Sequence, residues 1–427
     1  MNRRQLSRVT CVVALGACAG TPRAGSVAPA DRFQLAAALA AAGRCDTAVV
    51  VTAAAQALAP ADVRGPLVLG ACQEQAGRFD DAIATYTDFA AQHPGARRVA
   101  ALRAKAQLAL RSGAEQTARQ ALAREAELAQ QPPQAATVAV LPLVIAGDSS
   151  VQPLSRGLAE LITTDLAHIR TLRLLERLQI GKLLDELEVG QSERTDPATA
   201  ARVGRLLRAE RMVQGTATIP PNGNATMQLS ATVVTASGVV RPVGQVTGPF
   251  RQLLALEKQV VFDLAGQLGI ALTEAERQEI LRQGPKSLAA FLAYSRALDD
   301  LDRGDYDAAA RDFGAAARAD PSFQAARQGQ ETAAATPAVE QAGAGGIMNV
   351  VQSFEPITPP SEALGAAGGL LTTTTLDVVP ATGDVITQAG GPPSGTPTID
   401  RHLTPEALGL PSIVSVTSGI VIIFRRP

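Results

Sequence analysis

The sequence predicts an α/β central domain with a mixed sheet, flanked by all-α helical repeats and followed by a disordered C-terminal arm. Three observations predict it. Between Val138 and Gly215 apolar strands alternate with amphipathic helices, the order that strand, crossover helix and strand require. On the N-terminal side Gly43, Ala48 and Pro60 recur as Gly77, Ala82 and Pro94, each displaced by 34 residues, a period that marks stacked helical hairpins. From about Gln328 the composition shifts to Ala, Gly, Pro and Thr without a helical period. Such a segment has too few large apolar groups to offset the entropy of ordering it.

A chain of 427 residues has room for two or three domains. Its 39 basic and 40 acidic residues give a formal charge of -1, so no global field favours nucleic acid or an anionic membrane. Aromatic residues make up 3% and Trp is absent, which argues against a stacking platform for bases and suits closely packed small-residue helices.

Residues 1–17 read as a lipoprotein signal peptide rather than as fold. Arg3, Arg4 and Arg8 form a positive region, and Val9 to Ala17 an apolar stretch too short to span a bilayer. Leu15-Gly16-Ala17-Cys18 resembles a bacterial lipobox, in which Cys18 is diacylated and becomes the first mature residue. Ala19, rather than Asp, after the cysteine resembles lipoproteins sent on to the outer membrane. Residues 18–30 follow as a linker.

Residues 31–130 read as tetratricopeptide-like helical repeats. The clearest unit holds Gly70, Gly77, Phe79, Ala82, Tyr86 and Pro94. Gly70 and Ala82 permit close helix approach, Phe79 and Tyr86 fill the gap, and Pro94 ends the second helix. Residues 97–129 keep the helical pattern but lose the spacing, and read as a capping unit. In such a stack the second helix of one unit lies antiparallel to the first helix of the next. Cys45 and Cys72 then face each other, and export makes a disulfide between them chemically permissible. The alternative is two small buried thiols.

After a Gln/Pro hinge at 130–136, the central domain occupies residues 137–272. Strand Val138-Ala139-Val140-Leu141-Pro142-Leu143 precedes a helix with Leu154, Leu158, Leu161, Ile162, Leu166 and Ile169 on one stripe. A strand at 172–175 leads through Glu176-Arg177 into a helix with Ile180, Leu183, Leu184 and Leu187. Asp196-Pro197 opens a third helix, Asp as N-cap and Pro at the first helical position. The pattern then turns to period two over 211–219, 225–235 and 239–247, an antiparallel meander, and a helix at 252–268 closes the domain.

These segments carry a resemblance. "VAVLP", "LSRGLAELITTDL", "LLER", "LLDELEVGQS", "DPATAARVGRLL" and "RMVQGTA" follow one another as in the curli-secretion lipoproteins (CsgG-like), and the TolB-like amino-terminal domains have a related order. The resemblance covers roughly residues 137–270. It implies a periplasmic, membrane-associated, non-enzymatic module, some of whose members assemble into rings. One departure matters. The curli exporter's pore uses long transmembrane hairpins, whereas the turns at 220–224 and 236–238 join strands without added apolar-alternating extensions.

A helix at 274–282 and a single tetratricopeptide-like repeat follow within 273–327, with Gly304, Tyr306, Ala309, Phe313 and Pro321 in the repeat's positions. One repeat cannot bury its own faces, so it must pack on that helix, on the central domain or on another subunit. Residues 328–411 read as the low-complexity arm and 412–427 as a terminal strand hairpin.

Chemistry-bearing patterns are sparse. His93, His168 and His402 lie in three segments, none with a second ligand at metal spacing. No nucleophile elbow, phosphate loop or dinucleotide fingerprint occurs. The run from Asp299 to Asp305 lacks the fifth-position oxygen and the closing Glu of a calcium loop, and reads as a solvated repeat turn. Glu176 and Arg177 read as an ion pair or as groups that orient the next helix, Glu186 and Glu188 as pointing to different faces of a helix and so making no acid/base pair, and Arg202 and Arg205 as a solvated face. No catalytic residue, cofactor or metal is therefore assigned. The sequence predicts a non-enzymatic, lipid-anchored protein on the periplasmic face of the outer membrane. It would be an assembly or secretion-associated scaffold whose repeat groove takes a protein partner or a neighbouring subunit in a homo-oligomer, with no role for nucleic acid. The alternative is a monomeric, periplasmic TolB-like sensor or adaptor that binds a small ligand or regulatory partner.

Overall fold

The computed structural model describes residues 28–220 and 226–353, with side chains as far as residue 342. The signal peptide with Cys18, residues 354–411 of the arm, and the terminal hairpin at 412–427 lie outside the described residues. Helices α1 (Pro29–Ala41) and α2 (Cys45–Gln56) form a first hairpin, α3 (Arg64–Gln75) and α4 (Phe79–Gln92) a second. Gly43 and Gly77, both at positive φ, make the two turns, a conformation that glycine adopts at no steric cost. At Gly70 a β-carbon would overlap the ring of Tyr86, which is fully buried and donates its hydroxyl to Glu74 Oε1 at 2.6 Å. A disulfide joins Cys45 at the start of α2 to Cys72 in α3, with Cα atoms 5.5 Å apart.

Residues 97–129 are not a capping hairpin. They form one 25-residue helix, α5 (Val99–Ala123), and a single turn, α6 (Glu125–Leu128). No Pro divides α5, and Gly113 marks a close approach rather than a turn: a β-carbon there would lie 2.8 Å from Phe79 Cβ. Leu102 and Leu110 belong to the repeat core while Ala118 and Ala121 belong to that of the α/β domain. With its two ends in different cores, α5 joins the repeats to the α/β domain instead of ending the stack as a cap does.

The sheet comprises β1 (Gln134–Val140), β2 (Val144–Ala146), β3 (Arg173–Leu174), β4 (Ala209–Thr218), β5 (Thr226–Thr235) and β6 (Val240–Pro249). Its order is β3-β1-β4-β5-β6, with β2 beside β4. β1 pairs in parallel with β3 and β4, Val138 opposite Leu174 and Val140 opposite Val213, while β4, β5 and β6 form the antiparallel meander. The hinge is shorter than expected, because Gln134 already pairs with Ala209. Helices α7 (Leu154–Leu166), α8 (Arg177–Glu186) and α9 (Pro197–Leu207) are the crossovers, and α10 (Leu253–Gln267) closes the domain. The two-residue period of β1 decides which face each helix covers. Val138 and Val140 meet α7 and α10; Ala139 and Leu141 meet α8 and α9. Asp196 caps α9 through the backbone N–H groups of Ala198 and Thr199.

Helix α11 (Glu274–Arg282) starts with a Thr273–Glu276 capping box, and α12 (Leu288–Arg303) and α13 (Tyr306–Ala319) form the C-terminal hairpin. This unit packs on the α/β domain, α12 against α7. Gly157 approaches Ser295 so closely that a β-carbon would overlap its hydroxyl.

The arm does not begin at Gln328. Residues 324–353 form a 30-residue helix, α14 (Gln324–Ser353), with Pro337 inside it. Its many alanines favour a helix, yet it lacks a stripe of large apolar residues, so the period was invisible. Neighbouring helices supply the order instead: Ala326 and Ala333 join the core of α12 and α13, and Val339 joins that of the N-terminal repeats.

Candidate functional site

Where the α/β domain meets the C-terminal hairpin, ionic groups are buried together. Arg177, the first residue of α8, has a side chain only 7% exposed. Its Nε donates to Glu160 Oε2 on α7 at 3.1 Å, and both terminal nitrogens donate to Asp302 on α12. Burial disfavours the charge on Arg177, but Asp302, then Glu160, outweigh that and raise its pKa. Arg156 on α7 also pairs with Asp302 and Asp299, and Arg303 pairs with Asp299 and Asp300. The acidic run is therefore not a solvated turn, since three of its carboxylates, Asp299, Asp300 and Asp302, are largely buried and paired with arginines. Glu176 caps α8 through the backbone N–H of Leu178 and leaves the ion pairing to Arg177.

A cleft of about 500 Å³ opens beside this cluster, walled by α7, α11, the 284–286 turn, α12 and the start of α14. Phe291, Tyr294 and Phe323 line its apolar part, and Glu160, His168 and Lys286 its polar part. That volume falls within the range typical of small-molecule sites. Glu160 Oε1 and His168 Nε2 have no hydrogen-bond partner. Burial pushes the Glu160 carboxyl to about 7, only partly opposed by Arg177, whose other bonds go to Asp302. Burial also lowers the His168 pKa, against the pull of Glu279.

Between α7 and α10, Lys258 donates to Asp165 and lies 3.7 Å from Glu257 Oε2. Both carboxyls are fully buried around that cation. Burial, then the neighbouring Asp165, raises Glu257 well above the ordinary range, and burial holds Asp165 at about 6 against the attraction of Lys258. Neither this cluster nor the Glu160–Arg177–Asp302 one was foreseen. The signal available was weak: Glu160 and Asp165 interrupt the apolar stripe of α7, which marks buried polar groups but not their partners.

The remaining candidates are dispersed. Cys18 and His402 lie outside the described residues. His93 ends α4 with its ring 4.6 Å from that of Phe89, Glu186 pairs with Arg119 at 3.8 Å, and Arg202 pairs with Glu125 at 2.7 Å. Arg205 donates to the Ala236 carbonyl at 3.1 Å, so that face is bonded rather than merely solvated. Among the described residues no acidic, His or Cys cluster suits a metal, and no helix is long and apolar enough to cross a membrane.

The repeat groove differs most from expectation. Open to a partner in the sequence-based picture, it is filled by α14, whose extended contacts with the N-terminal repeats are with α1, α3 and α5. α1 and α3 are the first helices of successive hairpins and α5 is the next helix in the stack; helices in these places line the inner face. Ala335 and Val339 pack there, and Arg103 on α5 reaches Glu331 at 3.4 Å.

The family described as "Curli production assembly/transport component CsgG" has a profile that matches residues 120–219. That stretch runs from the end of α5 through the whole parallel half of the sheet and its three crossover helices. No curated protein sequence matches the chain. Among solved structures, "Crystal Structure of the Yeast Tom70" is similar at 13% identity with a TM-score of 0.19, covering 74% of this chain and 61% of that one. At that score the two arrangements differ too much for the likeness to bear on function.

Proposed function

We propose that the chain is a non-enzymatic scaffold for protein assembly or secretion, held by a lipid on Cys18 to the periplasmic face of the outer membrane. The observation that carries this reading is the CsgG-type match over residues 120–219 set between two helical repeat units, the first running into it through α5 and the second packing α12 on its α7. Helical repeats present extended surfaces for other proteins. The strands β4, β5 and β6 bury Val213, Leu229, Val233 and Val246 in the domain's own core, so in this reading the sheet serves as a rigid platform.

The test is the native mass of the full-length protein extracted in detergent from the membrane fraction, by light scattering with particle imaging. A discrete ring or other closed oligomer is expected. A monomer would overturn the assembly reading, and recovery of the chain from the soluble fraction would overturn the anchor. The second reading, a monomeric sensor or adaptor, draws support from the cleft beside Glu160, whose unpartnered oxygen and aromatic wall suit a small ligand.

A further inference from the structure

We infer that the cleft beside Glu160 is a binding site for a small organic monocation, a primary ammonium on an apolar body, with the ammonium on Glu160 and the body against the rings of Tyr294 and Phe323. This rests on the small-ligand reading above and names the class of ligand.

Charge gives the first part of the argument. Arg156, Arg177 and Arg303 are set against Glu160, Glu176 and the three aspartates of the 299–302 run, so the cluster is short of positive charge. Glu160 carries that shortage to the cleft. Its side chain is 5% exposed, its Oε2 accepts from Arg177, and its Oε1 has no partner. A carboxylate so far from water demands a charged donor. Water would supply a hydrogen bond without the charge, whereas an ammonium supplies both. Burial first, then Glu176 and Asp302, hold a proton on Glu160 up to about pH 7 against the pull of Arg177, and a bound ammonium takes that proton's place.

The walls narrow the class. Tyr294 and Phe323 are buried with ring centroids 4.7 Å apart, and Phe291 lines the same cleft. Aromatic faces cover an apolar body and attract a cation within about 6 Å. The other charged groups leave room for one cation and no more. His168, two turns along α7, has its pKa lowered by burial and so does not oppose an ammonium with a charge of its own. Arg282 is bonded to Glu279 at 2.6 Å, and Lys258, near Gly284, is held by Asp165. The exposed Lys286 adds a positive charge at the rim, which turns away a second ammonium, so a monoamine fits better than a polyamine.

The experiment is calorimetric titration of the full-length protein at pH 8, where Glu160 is ionised and a primary amine is still charged. The probes are 2-phenylethylamine, 2-phenylethanol and 3-phenylpropionate, which share one apolar body and differ in the terminal group. The amine is expected to bind at least tenfold more tightly than the alcohol, and the carboxylate not to bind. Glu160→Gln, which keeps an acceptor for Arg177, should weaken the amine at least tenfold and leave the alcohol unchanged. Thr164→Phe, which fills the cleft from α7, should abolish binding of both. Lys286→Glu, on an exposed residue, should tighten the amine at least twofold without affecting the alcohol, and it decides the matter if Thr164→Phe fails to fold. Equal binding of amine and alcohol, or preference for the carboxylate, would overturn the ammonium class while leaving a small-ligand site in place. No binding of the amine, or amine binding indifferent to Glu160→Gln and Lys286→Glu, would overturn the site itself. Native mass decides between scaffold and monomer independently of all these outcomes.

Discussion

Glu160 shows how a single side chain sets a condition on the fold. Its carboxyl is pushed from 4.5 to about 7 by burial, so the folded chain holds that proton more tightly than the unfolded chain does. Between pH 4.5 and 7 the unfolded state has lost the proton and the folded state keeps it. Stability from this group is therefore greatest at low pH and falls as pH rises through 7. The shift corresponds to about 3 kcal/mol, with little solvent screening because the side chain is 5% exposed. Glu160→Gln keeps an acceptor for Arg177 and removes the titration. Urea unfolding at pH 5 and pH 8 should show the wild type losing about 2–3 kcal/mol more than the variant across that interval. Parallel losses would mean that Glu160 is ionised in the folded protein throughout. Gly70, in the N-terminal repeats, differs in that its constraint is local. Its role was readable because Tyr86, which occupies the space of its absent β-carbon, sits in the same repeat. Asp302 is 125 residues from Arg177, and nothing in a sequence states that distance in space.

Whole helices and strands follow the same division. The sheet was readable because β1 buries both faces through a continuous apolar run and β5 alternates, and because Asp196-Pro197 announces α9 in local chemistry. Helix α14 was not readable, since an Ala, Gly, Thr and Pro composition states no preference strong enough to predict order, and its helix depends on surfaces contributed by α1, α3, α5 and α13. The hairpins α1–α2 and α3–α4 are small-residue stacks with limited apolar area, and there the Cys45–Cys72 bond matters most. It closes a loop with a sequence separation of 27, for which loss of unfolded-chain entropy stabilises by about 3 kcal/mol. The double variant Cys45→Ser, Cys72→Ser should lose stability by about that amount, read as an earlier melting transition, and reducing agent should bring the wild type to the same value. A wild type indifferent to reductant, with two titratable thiols after denaturation, would show that the bond does not form.

The three units act together through Arg177, which gives a testable statement about the assembled chain. Its guanidinium links α7 and α8 of the α/β domain to α12 of the C-terminal hairpin, and α14 carries that hairpin on to the N-terminal repeats. Removing the cation leaves Glu160 buried without a partner and Asp302 with Arg156 alone, and should cost about 3 kcal/mol, because taking one partner from a buried pair leaves the other uncompensated. Arg177→Met is thus expected to lower the melting temperature sharply and to expose the α13–α14 connection near Pro321 to protease. Adding Glu160→Leu and Asp302→Leu replaces the whole triad by apolar groups, and most of the lost stability should return. If the triple variant melts no higher than Arg177→Met, then packing around Tyr294 and Phe313, not charge, holds the hairpin against the domain. If it recovers, the triad is dispensable for stability. Its retention would then point to a role in fixing the angle at which the repeats are presented, which native mass and imaging of the triple variant would reveal as altered assembly at unchanged stability.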